Sequence, residues 1–472
     1  MGVVSVSVHT KAEKNSPHVH QCDESVELPD LGSAAYLNIQ SVMEAARKAN
    51  CDAVHPGYGF LAENPDFARA CEKKGIRFVG PSSRAITLMG DKAAAKEVAR
   101  KVNVPTVYSF PSFPIEREKT KLQFPLLLKP LAGGGGKGMV VVRSEREFNP
   151  AMERAKREAV ASFGDDRILA EPYLEKTRHI EVQIMGDQSG GVVHLFERDC
   201  TLQRRHQKVV EESPSPSIDA QLRSALCEAA IRIAKEAKYE NAGTVEFLVD
   251  SEDQFFFMEM NTRLQVEHPV TEMCTGIDLV RAQLGIAQGA SVREALGEFK
   301  PKGHAVECRI YAENPEKGFL PSTGKVLLLQ VADEEEVRID SGITEGMEIT
   351  PQFDPLLLKV IVHASSRAKA LERMDRALAK TVLLGTQHNI NFLRWLLGQK
   401  EVSLFRHDTQ WIERHLPDYQ KWEGGRDLTD LFSVVRHEEK KERICRSGGE
   451  KEDFWNEDPW LTIQDFRLGV AA

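Results

Sequence analysis

Along the first 90 residues, apolar and polar positions switch between a period of two and a period near 3.6. Residues 3–8 are β-rich. Apolar Ile39, Val42, Met43 and Ala46 recur at helical spacing within residues 37–50. Residues 52–55 make a short strand. Asn64 and Pro65 then supply an N-cap and a first helical position for a helix that runs to Gly75, and residues 77–79 return as a strand. Strands separated by helices predict a parallel, doubly wound sheet, hence an α/β class.

From Phe124 onward the pattern changes. Residues 124–129 read as a strand, followed by a glycine run and an antiparallel partner at 139–142. A helix is expected over 145–161 and a strand over 167–171. Two strands within 179–197 flank a turn at 186–191, and an amphipathic helix covers 220–237. Strands 244–249 and 254–260 flank a turn at 250–253. After Gly303 the chain reads as short strands and one helix, 367–381, which is an α+β pattern. Beyond about Pro417 it becomes charged and irregular, as at 436–443. No internal repeat is visible.

Composition narrows the function classes. The 472 residues are 41% hydrophobic and 28% charged, ordinary for a globular chain with a large core. A net charge of -9 argues against a nucleic-acid partner, which needs a basic face. No apolar run is long enough to cross a bilayer, and Met1 to Thr10 lacks the features of a secretory signal. The eight cysteines include no Cys-x-x-Cys pair and read as reduced thiols. The expected location is cytoplasmic, or an organelle matrix if a targeting segment lies outside this chain.

Three segments carry candidate chemistry. Lys129 sits in the apolar stretch Leu126-Leu127-Leu128-Lys129-Pro130, just before Gly133-Gly134-Gly135-Gly136-Lys137-Gly138. Successive glycines let backbone N–H groups surround phosphate oxygens. No Gly-Lys-Ser/Thr leads into a helix, so this is not a Walker A loop; a flexible hairpin is the plain alternative. Second, Glu246 and Glu259 interrupt apolar strands. With a turn at 250–253, Glu246 is expected opposite Phe257, with Glu259 as its diagonal neighbour. Two such carboxylates call for a cation between them, magnesium or manganese, or else for ion pairs to buried lysines or arginines. Glu259, Asn261, Arg263, Gln265 and Glu267 then occupy every second position, one face of an extended chain. Third, the basic run from Arg198 to Glu212 reads either as a solvated face or as a clamp for an anion.

Together with His55-Pro56-Gly57-Tyr58-Gly59-Phe60-Leu61, Met89-Gly90-Asp91-Lys92 and Gly303-His304-Ala305-Val306-Glu307-Cys308-Arg309-Ile310, these segments resemble the biotin carboxylase family of ATP-grasp enzymes, over roughly residues 3–417. The resemblance implies an incomplete doubly wound N-terminal domain (1–90) and an ATP-grasp domain (91–300) with a glycine-loop lid at about 100–172. A C-terminal biotin carboxylase domain (301–417) and a charged tail or bridging region (418–472) would follow. It also implies residue roles. Lys92, Lys129, Gly135 and Gly136 would contact ATP. Glu171, Pro172, Tyr173 and Leu174 would line the adenine pocket, with His179, Gln203 and His206 near the nucleotide. Glu246, Glu259 and Asn261 would hold magnesium or manganese. Arg263, Gln265, Val266 and Lys208 would position bicarbonate. Glu267 would be the general base, kept ionised by Arg263, and Arg309 would stabilise the biotin enolate.

The implied reaction carboxylates biotin through carboxyphosphate, as the first half-reaction of an acyl-CoA carboxylase of acetyl-, propionyl- or methylcrotonyl-CoA type. Its partners would be a biotin carrier protein or domain and a carboxyltransferase subunit, with a homodimer expected if the absent segment is dispensable. The chain departs from the family at three places. It begins at what resembles the second strand, without the usual Arg-Gly-Glu-Ile-Ala segment. Pro172 replaces a commoner basic residue. No Ala-Met-Lys-Met biotin-attachment segment is present, so the carrier is expected elsewhere. The alternatives are another ATP-grasp ligase, such as a carbamoyl-phosphate-type synthase, and a nucleotide-binding subunit fragment without turnover.

Overall fold

The computed structural model describes residues 1–108, 124–131 and 138–422, and the structural statements below concern these. The expected tail beyond Trp422 and the loop positions Gly135 and Gly136 lie outside them.

The N-terminal segment pairs β1 (Val6–His9) with β2 (Glu24–Glu27) and β3 (Ala53–Val54) with β4 (Arg77–Phe78), both in parallel. The direction of pairing matches the sequence pattern. These are, however, two separate two-stranded sheets, not one continuous sheet. Glu24–Glu27 carries too little apolar character to be read as a strand from sequence. Asn64 caps the helix Pro65–Lys74, its Oδ1 accepting from the backbone N–H groups of Asp66 and Phe67, and Gly75 ends it in the left-handed region at φ 70°.

A three-stranded antiparallel sheet follows, in the order β6 (Val140–Val142), β5 (Leu126–Pro130), β7 (Ile168–Pro172). Leu126, Leu128, Val140 and Val142 pack under Phe148, Met152, Ala155 and Ala159 of the helix Glu145–Phe163. The period of two therefore sends Lys129 and Glu171 to the opposite face.

The dominant element is an eight-stranded antiparallel sheet. It contains β8 (Arg178–Gly186), β9 (Val192–Arg204), β10 (Gln207–Ser213), β11 (Asn241–Val249), β12 (Phe255–Asn261), β13 (His304–Tyr311), β14 (Val337–Ser341) and β15 (Leu356–Ala364). Its spatial order is β12-β11-β8-β9-β10-β13-β15-β14. One face at the β12 end carries Ile180, Val182, Ile184, Val245 and Phe247 against Leu222, Leu226 and Ile233 of the helix Ala220–Glu236. The alternate positions, Glu181, Gln183, Thr244 and Glu246, are equally buried but polar. At the β15 end Val306, Cys308, Val360 and Val362 pack on the helices Arg367–Lys380 and Ile390–Leu397.

Two expectations need correction. The region after Gly303 holds more than one helix: Ile390–Leu397, Lys400–Ser403 and Trp411–Gln420 follow Arg367–Lys380. Burial of Phe392, Trp395 and Trp411 in one aromatic cluster holds the first and last of these segments and buried Val402 the four-residue helix between them, where their length alone gives a weak periodic signal. The last of them contains Pro417 and continues to Gln420, so the compact part does not stop at that proline.

The C-terminal helices are tied to the sheet by one buried carboxylate. Glu212 Oε2 lies 2.7 Å from His304 Nε2, and the Arg367 guanidinium donates to both oxygens at 2.6 and 3.0 Å. Burial alone would raise this carboxyl, but the His304 hydrogen bond and the Arg367 charge outweigh it and bring it down to about 2. The free group titrates near 4.5, so its contribution is complete above that pH and is lost as pH falls toward 2. Glu212→Gln is expected to cost about 3–5 kcal/mol at neutral pH, the usual penalty for breaking a buried pair. In urea unfolding series the gap to the parent protein should close as pH is lowered through that window. A gap independent of pH would contradict this account.

Candidate active site

The polar face of the large sheet gathers most of the chemistry expected from sequence. Glu246 and Glu259 do share a face, but not diagonally. A β-bulge at Met258 shifts the register between Phe247↔Phe257 and Glu246↔Glu259, so the two glutamates are direct cross-strand partners. Glu246 is in turn opposite Glu181, and Glu181 opposite Arg198, which makes a polar row across β12, β11, β8 and β9.

Lys208, from β10, reaches into this row. Its ammonium donates to Glu181 Oε2 at 2.5 Å, Glu267 Oε1 at 2.6 Å and Glu246 Oε1 at 2.8 Å. Glu181 Oε1 accepts from Arg198 Nε at 2.5 Å. Arg198 is 0% exposed and donates further to Gln183, Thr271 and Thr244. On the other side Glu267 Oε2 accepts from Arg309 Nη2 at 2.8 Å, and Arg309 Nε donates to Glu211 Oε1 at 2.5 Å. The run Arg198–Glu181–Lys208–Glu267–Arg309–Glu211 therefore alternates in sign through the interior. The basic run is not a solvated face. Its key side chains are enclosed, and the Lys208 side chain retains only 13% exposure.

The segment after β12 departs from the extended pattern. The strand ends at Asn261, and residues 262–267 turn into the helix His268–Thr275, with Glu267 directly before it. Convergence survives because the turn wraps the same residues around Glu246. Glu246 Oε1 accepts from Asn261 Nδ2 at 2.8 Å and from Gln265 Nε2 at 3.1 Å, while Arg263 donates to Gln265 at 2.6 Å and to Asn261 at 3.3 Å. The Val266 carbonyl accepts from Lys359 Nζ at 2.7 Å. Arg263 is not what holds Glu267 ionised: its Nε is committed to Glu63 at 2.9 Å. Burial would raise Glu267, but Lys208, Arg309 and Arg198 hold it well below the usual carboxylate range. Glu246 is likewise held low against its burial, by Lys208 and His179, whose Nε2 is 3.2 Å from Glu246 Oε2. Glu181, fully enclosed and near Glu267, is pushed up by burial, which Lys208 and Arg198 counter.

The donor set at the glutamate pair fits a hard divalent cation: two carboxylates and an amide oxygen on one face, with Glu259 still 22% exposed at the edge. The ion pairs weighed against it are also made, Lys208 on Glu246 and Lys92 Nζ 3.2 Å from Glu259 Oε2. A divalent cation held here would share these carboxylates with the two ammonium groups.

A second group lies on the inner face of the three-stranded sheet. Lys129 from β5 and Lys96 from the helix Lys92–Lys101 both pair with Glu171 from β7, and Lys96 Nζ also donates to the Val107 carbonyl at 2.9 Å. Lys129 thus has the partner its burial demands. Burial and the neighbouring Lys129 lower Lys96 to about 8 despite Glu171. Pro172 continues β7, and the Tyr173 N–H donates to the Pro125 carbonyl, so these residues and Leu174 lie half-buried at the end of that strand. Gln203 is paired with Lys208 across the β9–β10 hairpin, and His206 sits exposed in its turn at φ 65°. Sequence reasoning does not single out Glu181, Glu211, Lys96 or Glu63. The alternation His179-x-Glu181-x-Gln183 in an apolar strand is a usable signal, whereas Lys96 looks like any helix-surface lysine.

Glu171→Gln would leave two buried ammonium groups facing each other. In the parent Glu171 raises Lys96 against its burial, to about 8; without Glu171 the folded lysine falls lower, so the gap between variant and parent is widest at low pH and closes as pH rises toward 8. The variant is expected to lose about 3–5 kcal/mol, most at low pH, with the gap to the parent narrowing in denaturation midpoints as pH rises toward 8. A uniform deficit would refute the two-lysine explanation.

Three family profiles tile the chain. Residues 1–86 match the biotin carboxylase N-terminal domain, 91–295 the carbamoyl-phosphate synthase L chain ATP binding domain, and 307–414 the biotin carboxylase C-terminal domain. The chain is 43% identical to the mitochondrial methylcrotonoyl-CoA carboxylase subunit alpha of Arabidopsis thaliana, covering 100% of this chain and 66% of that subunit. It therefore spans less than two thirds of that curated relative. Among solved structures it is similar to a biotin carboxylase from Campylobacter jejuni in a β,γ-ATP complex (TM-score 0.84, 39% identity, 88% of this chain and 94% of that one). It is also similar to the biotin carboxylase domain dimer of Hydrogenobacter thermophilus 2-oxoglutarate carboxylase with MgADP, ADP and bicarbonate (TM-score 0.87, 40% identity, 89% and 94%).

Proposed function

The chain belongs to the biotin carboxylase family of ATP-grasp ligases, and from that premise we propose that it carboxylates biotin on a carrier, using ATP and bicarbonate, as the first half-reaction of an acyl-CoA carboxylase. The observation that supports this most is Glu267 bridging Lys208 and Arg309, which sets a carboxylate between two cations on neighbouring strands.

In this reading Lys208, Arg263, Gln265 and the Val266 backbone hold bicarbonate, and Glu267 takes its proton. A bicarbonate oxygen attacks the γ-phosphorus of ATP, giving ADP and carboxyphosphate, which breaks into carbon dioxide and phosphate. The phosphate removes the ureido proton of biotin, Arg309 stabilises the enolate, and the ureido nitrogen attacks carbon dioxide. A carboxylate as depressed as Glu267 is a weak base while two cations serve it. An anionic substrate competes for Lys208, and Glu267 becomes a stronger base at the moment it is used. Lys92 and Lys129, with the glycine loop that includes Gly135 and Gly136, serve the phosphates. Glu171 to Leu174, His179, Gln203 and His206 border the nucleotide. Glu246, Glu259 and Asn261 would hold magnesium or manganese, which would neutralise phosphate charge.

The proposed partners are a biotin carrier, a carboxyltransferase subunit and a second copy of this chain. Among the described residues no helix is long and apolar enough to cross a membrane. The expected cytoplasmic location widens to include the mitochondrion, since the Arabidopsis relative is named as mitochondrial. Its name also favours a methylcrotonyl-CoA type of acceptor for the complete assembly.

Bicarbonate-dependent ATP hydrolysis should be stimulated by free biotin, and Glu267→Gln should lower it by roughly 10²–10⁴-fold, the usual weight of a general base. Hydrolysis indifferent to biotin would point to a different ATP-grasp ligase. Glu259→Ala should weaken Mn²⁺ binding in the presence of ADP by about tenfold or more, read by electron paramagnetic resonance. Unchanged affinity would remove Glu259 from the metal site.

A further inference from the structure

Beyond Arg309 lies a buried acidic pair that the proposed chemistry does not use. Glu211 on β10 and Glu307 on β13 are direct partners in the antiparallel ladder, so their side chains leave the sheet on the same face with Cβ atoms about 5 Å apart. Both are 0% exposed. Glu211 has one oxygen on Arg309 Nε and the other without a hydrogen-bond partner, and neither oxygen of Glu307 has one. The cation nearest Glu307 is Lys359, at 4.0 Å, and its ammonium is already engaged by the Val266 carbonyl at 2.7 Å and Asp340 at 3.2 Å. Two enclosed carboxylates side by side, with Arg309 on Glu211 and only Lys359 at 4.0 Å from Glu307, cannot both stay ionised at moderate cost.

We propose that Glu211 and Glu307 hold a single proton between them, carried by Glu307, and that the ionised Glu211 acts as a positioning residue that keeps Arg309 in place while Glu267 changes charge. The assignment follows from the contacts. Glu211 accepts from Arg309 and is the one stabilised as an anion, while Glu307 has no donor and takes the neutral form. Burial raises both carboxyls, Glu211 to about 7. The groups facing the pair are Arg309 and Tyr311 on β13, Lys208 on β10, Lys359 on β15, Glu267 before its helix, and the buried Cys200 thiol. When Glu267 accepts a proton, its hold on Arg309 weakens. Glu211 then supplies the remaining anchor, so the guanidinium need not reorient between the two chemical steps.

The role of Glu211 rests on the proposed carboxylation; the protonation of Glu307 does not. Infrared difference spectroscopy of the whole chain at about pH 8, above the value of about 7 for Glu211, should show a protonated-carboxyl C=O band that disappears in Glu307→Gln. Glu307→Gln copies the neutral acid, so it should fold normally. It should gain stability relative to the parent as pH rises from about 5 to about 8, because the parent alone must take up a proton to fold. A parent protein without the band, or a Glu307→Gln protein that keeps it, overturns the pair whatever the activity proves to be. For the positioning role, Glu211→Gln should leave Arg309 free to serve Glu267 alone. That lowers the base's pKa and moves the acid limb of the biotin-stimulated rate to lower pH by roughly one unit, with a raised KM for biotin that Glu211→Asp partly restores. An unmoved acid limb in an active, folded Glu211→Gln protein overturns the positioning role.

Discussion

The interior of this protein is organised around one ammonium group. Lys208 draws Glu181, Glu246 and Glu267 to within 2.8 Å, and these carboxylates come from β8, from β11 and from the turn after β12. In a medium of low polarity none of the three could be enclosed alone. Enclosed around one cation, with Arg198 and Arg309 at the flanks, each has a partner of opposite sign. The strand register, the Met258 bulge and the turn into the helix at His268 all serve to bring these oxygens to one nitrogen. Apolar packing on the opposite face, where Ile180, Val182 and Phe247 meet the helix Ala220–Glu236, holds the strands still enough for the geometry to persist.

Much of this arrangement is legible in the amino-acid sequence. The period-two segments determine which residues share a face, so the joint placement of Glu246 and Glu259 and the burial of Lys129 with a partner follow from local pattern. What is not legible depends on long-range register. A bulge shifts a cross-strand partner without leaving a clear mark on hydrophobic periodicity, which is why local spacing puts Phe257 opposite Glu246. The partner of Arg263 is Glu63, two hundred positions away, and nothing local distinguishes that glutamate from a surface one. Lys96 is the strongest case: its helix reads as an amphipathic surface element, and only the arrival of Glu171 explains why it is buried. The three helices from Ile390 onward escape the periodic reading for a related reason, since they are short and burial of Phe392, Trp395, Val402 and Trp411 in the distant core holds them.

The charges also explain how a site can be both stable and reactive. A carboxylate with two cations is inert as a base, and a cation with three carboxylates is inert as an anion receptor. Each becomes available only when a substrate of matching charge substitutes for one of its protein partners. Preorganisation of this kind needs little side-chain motion, because the exchange occurs among groups already within hydrogen-bond distance.

The β10–β13 pairing has one more consequence. It makes a single ladder of two halves that match different family profiles, so Lys208 and Arg309 stand on adjacent strands of the same sheet. Strand spacing is about 4.8 Å and stiff. On the proposed chemistry, the residue that holds bicarbonate and the residue that serves biotin stand on neighbouring strands and meet on the one carboxylate of Glu267. The sheet itself therefore keeps the path between release and capture short, in addition to any lid that covers it.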